Sequence, residues 1–142
     1  MATRHAHARW NGTLKDGNGN MKLGSGACDV PFSFRSRFED GDGTNPEELI
    51  GAAHAGCFSM ALSKELADAG YPPESIETDA EVRLEQVGGA FAITRIELAT
   101  QATVPGISEA DFGRAAENAK KGCPVSKALS GVLIGLKTSL KS

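Results

Sequence analysis

Apolar and polar positions alternate along several stretches of the chain, and two others carry helical spacing. Residues 5–14 (HAHARWNGTL) alternate and predict a strand. A turn at 17–20 (GNGN) and a short second strand at 21–25 (MKLGS) follow. Val30, Phe32 and Phe34 alternate within 30–38 and predict a third strand, and 39–45 (EDGDGTN) reads as a loop. A long helix is predicted over 46–69: Asn45 suits the N-cap, Pro46 the first helical position, and Glu48 lies three residues after the cap. Gly70 and the YPP that follows end it. Residues 75–86 and 90–104 alternate on either side of VGG and predict a β-hairpin. A second helix is predicted within 104–122, with Ser108 and Asp111 in a capping-box pattern and Gly122 at its end. Cys123 caps a short third helix with Pro124 at its first position, and 132–142 returns as a strand. This order predicts an α+β fold in one domain over 1–142, with an antiparallel-rich sheet, a long central helix and a second helix.

Composition narrows the class. A chain of 142 residues with 40% hydrophobic and 23% charged residues suits one soluble domain. The net charge of −3 gives no support to a nucleic-acid or anionic-membrane partner. No apolar run approaches the roughly 18 residues of a membrane span. The polar start MATRHAHARWNG lacks the apolar stretch of a signal peptide, so a cytoplasmic location is expected. The cysteines, Cys28, Cys57 and Cys123, are too few and odd in number for a disulfide framework. In a reducing compartment a disulfide between any of them is catalytic or redox-sensing rather than structural.

The long helix holds the central question. Ile50, Ala53, His54, Cys57, Met60 and Ala61 are spaced to share one face. Gly51, Ala52, Ala55 and Gly56 keep the middle thin, at about 1 kcal/mol for each interior glycine, so another backbone is expected to approach there. Cys57 reads either as buried packing or as a nucleophile, which must be a thiolate. Mid-helix, it gains little from the helix dipole and needs a cation from elsewhere. Arg37, placed at the end of the third strand, is a candidate; Lys64 is two turns away, about 10 Å. Glu47 lies ten residues before Cys57, about 15 Å along the axis. It cannot easily serve that thiol within one chain, but could serve a partner's if two such helices crossed antiparallel. Its plainer reading, shared with Glu48, is an acid favoured in any first helical turn. Cys123, at a helix start, is either a thiol of lowered pKa or a packed junction residue.

Two long segments, 36–62 (SRFEDGDGTNPEELIGAAHAGCFSMAL) and 119–129 (AKKGCPVSKAL), resemble the signature regions of the OsmC/Ohr family. That family is named for an osmotically inducible protein and an organic hydroperoxide resistance protein. The resemblance extends through 91–107 and the last strand and is closer to the OsmC branch. It implies an OsmC-like fold, an intertwined homodimer with sites at the interface, and thiol-dependent peroxidase activity on organic hydroperoxides. It implies Cys57 as the peroxidatic cysteine, Cys123 as the resolving one, Arg37 as the cation that holds the thiolate, and Glu47 as the acid that orients Arg37. No metal or organic cofactor is implied, and a lipoyl-type dithiol is the expected reductant. Phe58, Met60, Phe38 and Ile50 are candidate walls for an alkyl group. Cys28 has no role in this scheme. His5 with His7, or His54 with Cys57 and Cys123, form weaker metal-binding alternatives; His54 is otherwise expected to pack or hydrogen-bond near the active site. The rival functions are a dimeric hydrophobic-ligand binder with incidental thiols and a redox sensor without turnover.

Overall fold

The computed structural model describes residues 1–141, and its N-terminal alternation becomes an antiparallel meander. Strands β1 (Ala6–Asn11), β2 (Asn18–Leu23) and β3 (Asp29–Phe32) pair in sequence order. Gly19 lies opposite both Trp10 and Phe32. A Cβ on it would come within 2.8 Å of either ring, so its absence lets those rings meet at 5.2 Å. This sheet belongs to the first of two compact units, Met1–Leu49; the second runs from Ile50 onward.

The predicted third strand stops early. After Phe32 the chain turns into a short helix, α1 (Phe34–Phe38). Ser33 and Ser36 cap it reciprocally: the Ser36 N–H donates to Ser33 Oγ at 3.1 Å, and the Ser33 N–H to Ser36 Oγ at 2.8 Å. That box outweighs the alternation, and it puts Phe34 and Phe38 one turn apart with rings 4.8 Å from each other. Arg37 therefore sits in the last turn of a helix, not at a strand end.

The long helix α2 is Pro46–Asp68, about 35 Å of axis. The Glu48 N–H donates to Asn45 Oδ1 at 2.7 Å, as the cap requires. At the far end Gly70 takes φ +92°, its N–H donates to Ala67 O and the Tyr71 N–H to Leu66 O. These two bonds form a Schellman closure, in which glycine avoids the left-handed penalty.

In the second unit, β4 (Ser75–Val87) and β5 (Ala90–Thr103) form the predicted hairpin, turned by Gly88 and Gly89, both at positive φ. The register slips between Arg83 and Leu84, where Thr94 is the extra residue of a bulge. Helix α3 (Glu109–Gly122) starts on Ser108, whose Oγ accepts from the Asp111 N–H at 3.1 Å. Cys123 caps α4 (Pro124–Ala128), and β6 (Leu133–Lys141) returns parallel to β5. Ser142, included in the predicted last strand, lies outside the described residues. The expected antiparallel-rich sheet is thus two three-stranded sheets, with β5–β6 the one parallel ladder among the described strands.

The core of this unit joins Phe58, Leu62 and Leu66 of α2 to Ile96, Leu98 and Ala102 of β5 and to Phe112, Ala116 and Ala119 of α3. Each fully buried large side chain contributes about 1.5–3 kcal/mol. The buried stripe of α2 is Gly51, His54, Phe58, Leu62 and Leu66, turned away from the face predicted through Met60, which is 77% exposed. His54 belongs to both sets and Cys57 and Ala61 are half-buried, so burial is rotated from the predicted face toward Phe58 and Leu62. A Cβ on Gly51 would lie 3.3 Å from Val82 Cγ2, so this glycine does serve a close approach, while Gly56 meets nothing within 4 Å. No described helix is long and apolar enough to cross a membrane.

Candidate active site

The four residues singled out for chemistry fall into two pairs, one in each unit. In the first unit the capping box of α1 and the cap of α2 bring Arg37 to Glu47. The guanidinium donates from Nε to Glu47 Oε1 at 2.8 Å and from Nη2 to Oε2 at 2.9 Å. Glu47 is 7% exposed, so this bidentate pair is stronger than a surface ion pair and fixes the guanidinium plane. Arg37 also stands 5.3 Å from the Phe38 ring centre. Glu48 takes a different partner, Thr44 Oγ1 at 2.8 Å. The sequence therefore separates two adjacent acids by role: Glu47 holds an arginine and Glu48 closes a cap.

Beside Arg37 lies an apolar cavity of about 400 Å³ whose walls include Trp10, Leu14, Phe32, Phe34 and Phe38. Of the predicted walls only Phe38 lines it; Phe58 is core, Ile50 packs against the core and Met60 is exposed. The Trp10–Phe32 pairing across Gly19 was the missed signal, because strand register is needed to see it.

In the second unit α2 and the α3–α4 junction bring Cys57 and Cys123, 66 positions apart in sequence, near enough for each thiol to shift the other's ionisation. Both are free thiols; Cys123 is fully buried and Cys57 partly so. Burial pushes the Cys57 thiol above its ordinary value, the bond to Cys123 adds to this, and the Val125 N–H opposes it. Burial also works against ionising Cys123, but the Cys57 thiol, the Ser126 N–H and hydroxyl and the Val125 N–H together hold it below its ordinary value. Between these two sulfurs alone the negative charge therefore favours Cys123, with Cys57 as its donor. Proline at the first position of α4 sacrifices no hydrogen bond there, because the first N–H groups of a helix have no partner within it.

His54 belongs to this cluster. It is fully buried, and its Nε2 lies 2.8 Å from Ser126 Oγ. Burial holds the imidazole neutral by lowering its pKa. Ser126 was not visible as a site residue in the sequence, since nothing in CPVSKAL distinguishes a serine aimed at sulfur from one facing solvent. Lys64, the other cation considered, is bound to Asp68 at 2.6 Å on the surface. Among the described residues no three His, Cys, Asp or Glu side chains group as metal ligands. His5 and His7 are exposed, and Cys28 belongs to neither pair.

Comparison with known proteins places this geometry. The family described as OsmC-like protein matches residues 39–137. The chain is 49% identical to the Escherichia coli protein named Peroxiredoxin OsmC over 98% of its length and 97% of that protein's. It is 37% identical to an organic hydroperoxide resistance protein of Xanthomonas axonopodis, over 64% of this chain and 63% of that one. The crystal structure of an organic hydroperoxide resistance protein from Elizabethkingia anophelis superposes with a TM-score of 0.75 at 26% identity, covering 100% of this chain and 97% of that chain. A match through both cysteine segments, with a near full-length relative and a shared fold, means that this chain belongs to the OsmC family.

Proposed function

We propose that this protein is a thiol peroxidase that reduces organic hydroperoxides to alcohols, with Cys57 as nucleophile and Cys123 as resolving thiol. The observation that carries the reading is the pairing of Cys57 with Cys123, two free thiols near enough for each to shift the other's ionisation. The names of the relatives, a peroxiredoxin and an organic hydroperoxide resistance protein, support the same reaction class.

In this scheme the Arg37 guanidinium, oriented by Glu47, draws the shared negative charge onto Cys57. The Cys57 thiolate attacks the distal peroxide oxygen. The S–O bond forms, the O–O bond breaks, and the alkoxide leaves and takes a proton as the alcohol. Cys57 is then a sulfenic acid. Cys123 attacks its sulfur, the S–S bond forms, and hydroxide leaves to become water. An external dithiol, of lipoyl type, returns both thiols by exchange. The apolar cavity beside Arg37 supports an alkyl hydroperoxide over the polar parent.

The working form proposed is an intertwined homodimer, with the whole chain acting as one catalytic domain in the cytoplasm. The side chains of β1–β3 are largely exposed, and α2 presents Ala52, Ala53, Gly56 and Met60 outward. These surfaces support a second copy as the missing neighbour. The three free cysteines support a reducing compartment.

The test is to mix pre-reduced protein with one equivalent of cumene hydroperoxide under argon and map the peptides by mass spectrometry. The expected product is a Cys57–Cys123 disulfide that dihydrolipoamide removes and Cys57→Ser never forms. Unmodified thiols after long exposure would overturn the reading in favour of a hydrophobic-ligand binder.

A further inference from the structure

Burying an imidazole is expensive, and His54 gets little for it. Its Nδ1 has no partner among the described residues, a cost of about 1–3 kcal/mol that an apolar side chain would avoid. What His54 adds over such a side chain is its bond to Ser126. The proton bookkeeping then fixes a direction. Ser126 has a single hydroxyl proton, and its hydroxyl is among the groups that hold the Cys123 thiol below its ordinary value. With that proton given to Cys123, the serine oxygen accepts from His54, Nε2 is the protonated nitrogen and Nδ1 is a bare lone pair. A neutral imidazole fits this arrangement, having one N–H to give.

We propose that His54 and Ser126 are positioning residues for the second half of the cycle: a buried chain, His54 Nε2–H to Ser126 Oγ and Ser126 O–H to Cys123 Sγ, that holds the resolving sulfur as an aimed thiolate. The inference rests on the peroxidase reading above. Once Cys57 carries a sulfenic acid, it no longer supplies a thiol proton to Cys123. The Ser126 hydroxyl and the amide N–H groups of Val125 and Ser126 are then the remaining groups that favour charge on that sulfur. The thiolate attacks Cys57 sulfur, the S–S bond forms and the S–O bond breaks. Cys123 is oxidised, Cys57 is reduced from the sulfenic state, and the departing hydroxide takes a proton to leave as water. In the reverse half of the cycle the same donors act on a leaving group. Cys57 is the more accessible of the two sulfurs and Cys123 is fully buried, so an incoming dithiol attacks Cys57 and expels Cys123 as thiolate. One donor chain thus serves closure and reopening of the disulfide, and shortens the time Cys57 spends open to over-oxidation.

The test separates the two half-reactions. Reduced full-length protein is mixed with one equivalent of cumene hydroperoxide and quenched at intervals into dimedone and iodoacetamide. Mass spectrometry then counts Cys57 sulfenic acid against Cys57–Cys123 disulfide. Ser126→Ala and His54→Leu should lengthen the sulfenic acid's life about tenfold, the value of one lost hydrogen bond to a charged group. Under excess peroxide they should also accumulate Cys57 sulfinic acid. Ser126→Thr keeps the hydroxyl and His54→Gln keeps a donor near the Nε2 position, so both should close quickly. A Ser126→Ala protein that closes as fast as the unsubstituted one overturns the proposal. So does a His54→Gln protein as slow as His54→Leu, which would make His54 a packing residue. If His54→Leu does not fold, Ser126→Ala against Ser126→Thr decides the matter. Absence of both sulfenic acid and disulfide in the unsubstituted protein is a different result: it overturns the peroxidase reading itself.

Discussion

Gly56→Ala is a substitution whose sign depends on whether a second copy of the chain packs against α2. Within one chain the change is favourable. Gly56 lies mid-helix on an exposed surface, and a Cβ built there meets nothing within 4 Å. Alanine restores about 1 kcal/mol of helix propensity, which for a chain of this length is a rise of about 4 °C in Tm. Gly113 of α3 offers a control with the same physics, helical and with open space at its Cβ. If two α2 helices cross at their small residues, the added methyl overpacks the contact at about 1–3 kcal/mol, and two-fold symmetry repeats the insult in each copy. At the lower end that is about 2 kcal/mol per dimer, roughly a 30-fold weaker association. The assay is sedimentation velocity over a dilution series, with thermal melts at the same concentrations. Gly113→Ala should raise Tm and leave association alone, while Gly56→Ala should shift the monomer–dimer midpoint to higher concentration. A Gly56→Ala protein that gains stability like Gly113→Ala and dissociates like the parent would refute the idea that this face of α2 is an interface.

Other expectations follow from the same contacts. Glu47→Gln keeps the shape but loses the charge-assisted hold on Arg37, worth about 1.5–3 kcal/mol, so kcat/KM for cumene hydroperoxide should fall about tenfold or more. Leu62→Ala opens a cavity in the fully buried cluster and should cost about 2–5 kcal/mol in urea unfolding, with an unchanged m-value. Burial lowers the His54 pKa from its ordinary 6.5, so below that pH the unfolded chain binds a proton that the folded chain resists. The contribution of a neutral His54 is therefore complete above pH 6.5 and declines as the pH falls. Between about pH 7 and pH 5, His54→Gln should lose less stability than the parent protein, as read from urea midpoints.

Local chemistry made much of the fold legible. Asn45–Pro46 starts α2, Gly70 ends it, Ser108 starts α3 and the paired glycines turn the hairpin, because each signal acts within a few residues. The exception at Phe34 was a contest between two local signals, alternation against a serine pair, and the reciprocal cap won. What sequence could not supply was direction in space. The stripe through Met60 and the stripe through Leu62 carry similar spacing, and only the position of β5 decides which is buried. The site divides the same way. The two cysteines and the Arg37–Glu47 pair stand out by type, whereas Ser126 and the walls around Trp10 depend on long-range register.

The parallel pairing of β6 with β5 has a consequence for how the protein is made. An antiparallel hairpin zips from its turn, but this ladder joins Arg95 to Leu133, and the intervening chain must double back before the first bond forms. Cys123 rides on that excursion, between α3 and α4, while Cys57 sits on a helix that precedes both strands. During synthesis the helix and hairpin leave the ribosome first, so newborn chains pass through a stage in which one thiol is placed and its companion is not. Oxidants met at that stage find Cys57 before Cys123 lies beside it, and the speed of closing one strand crossover sets how long the exposure lasts.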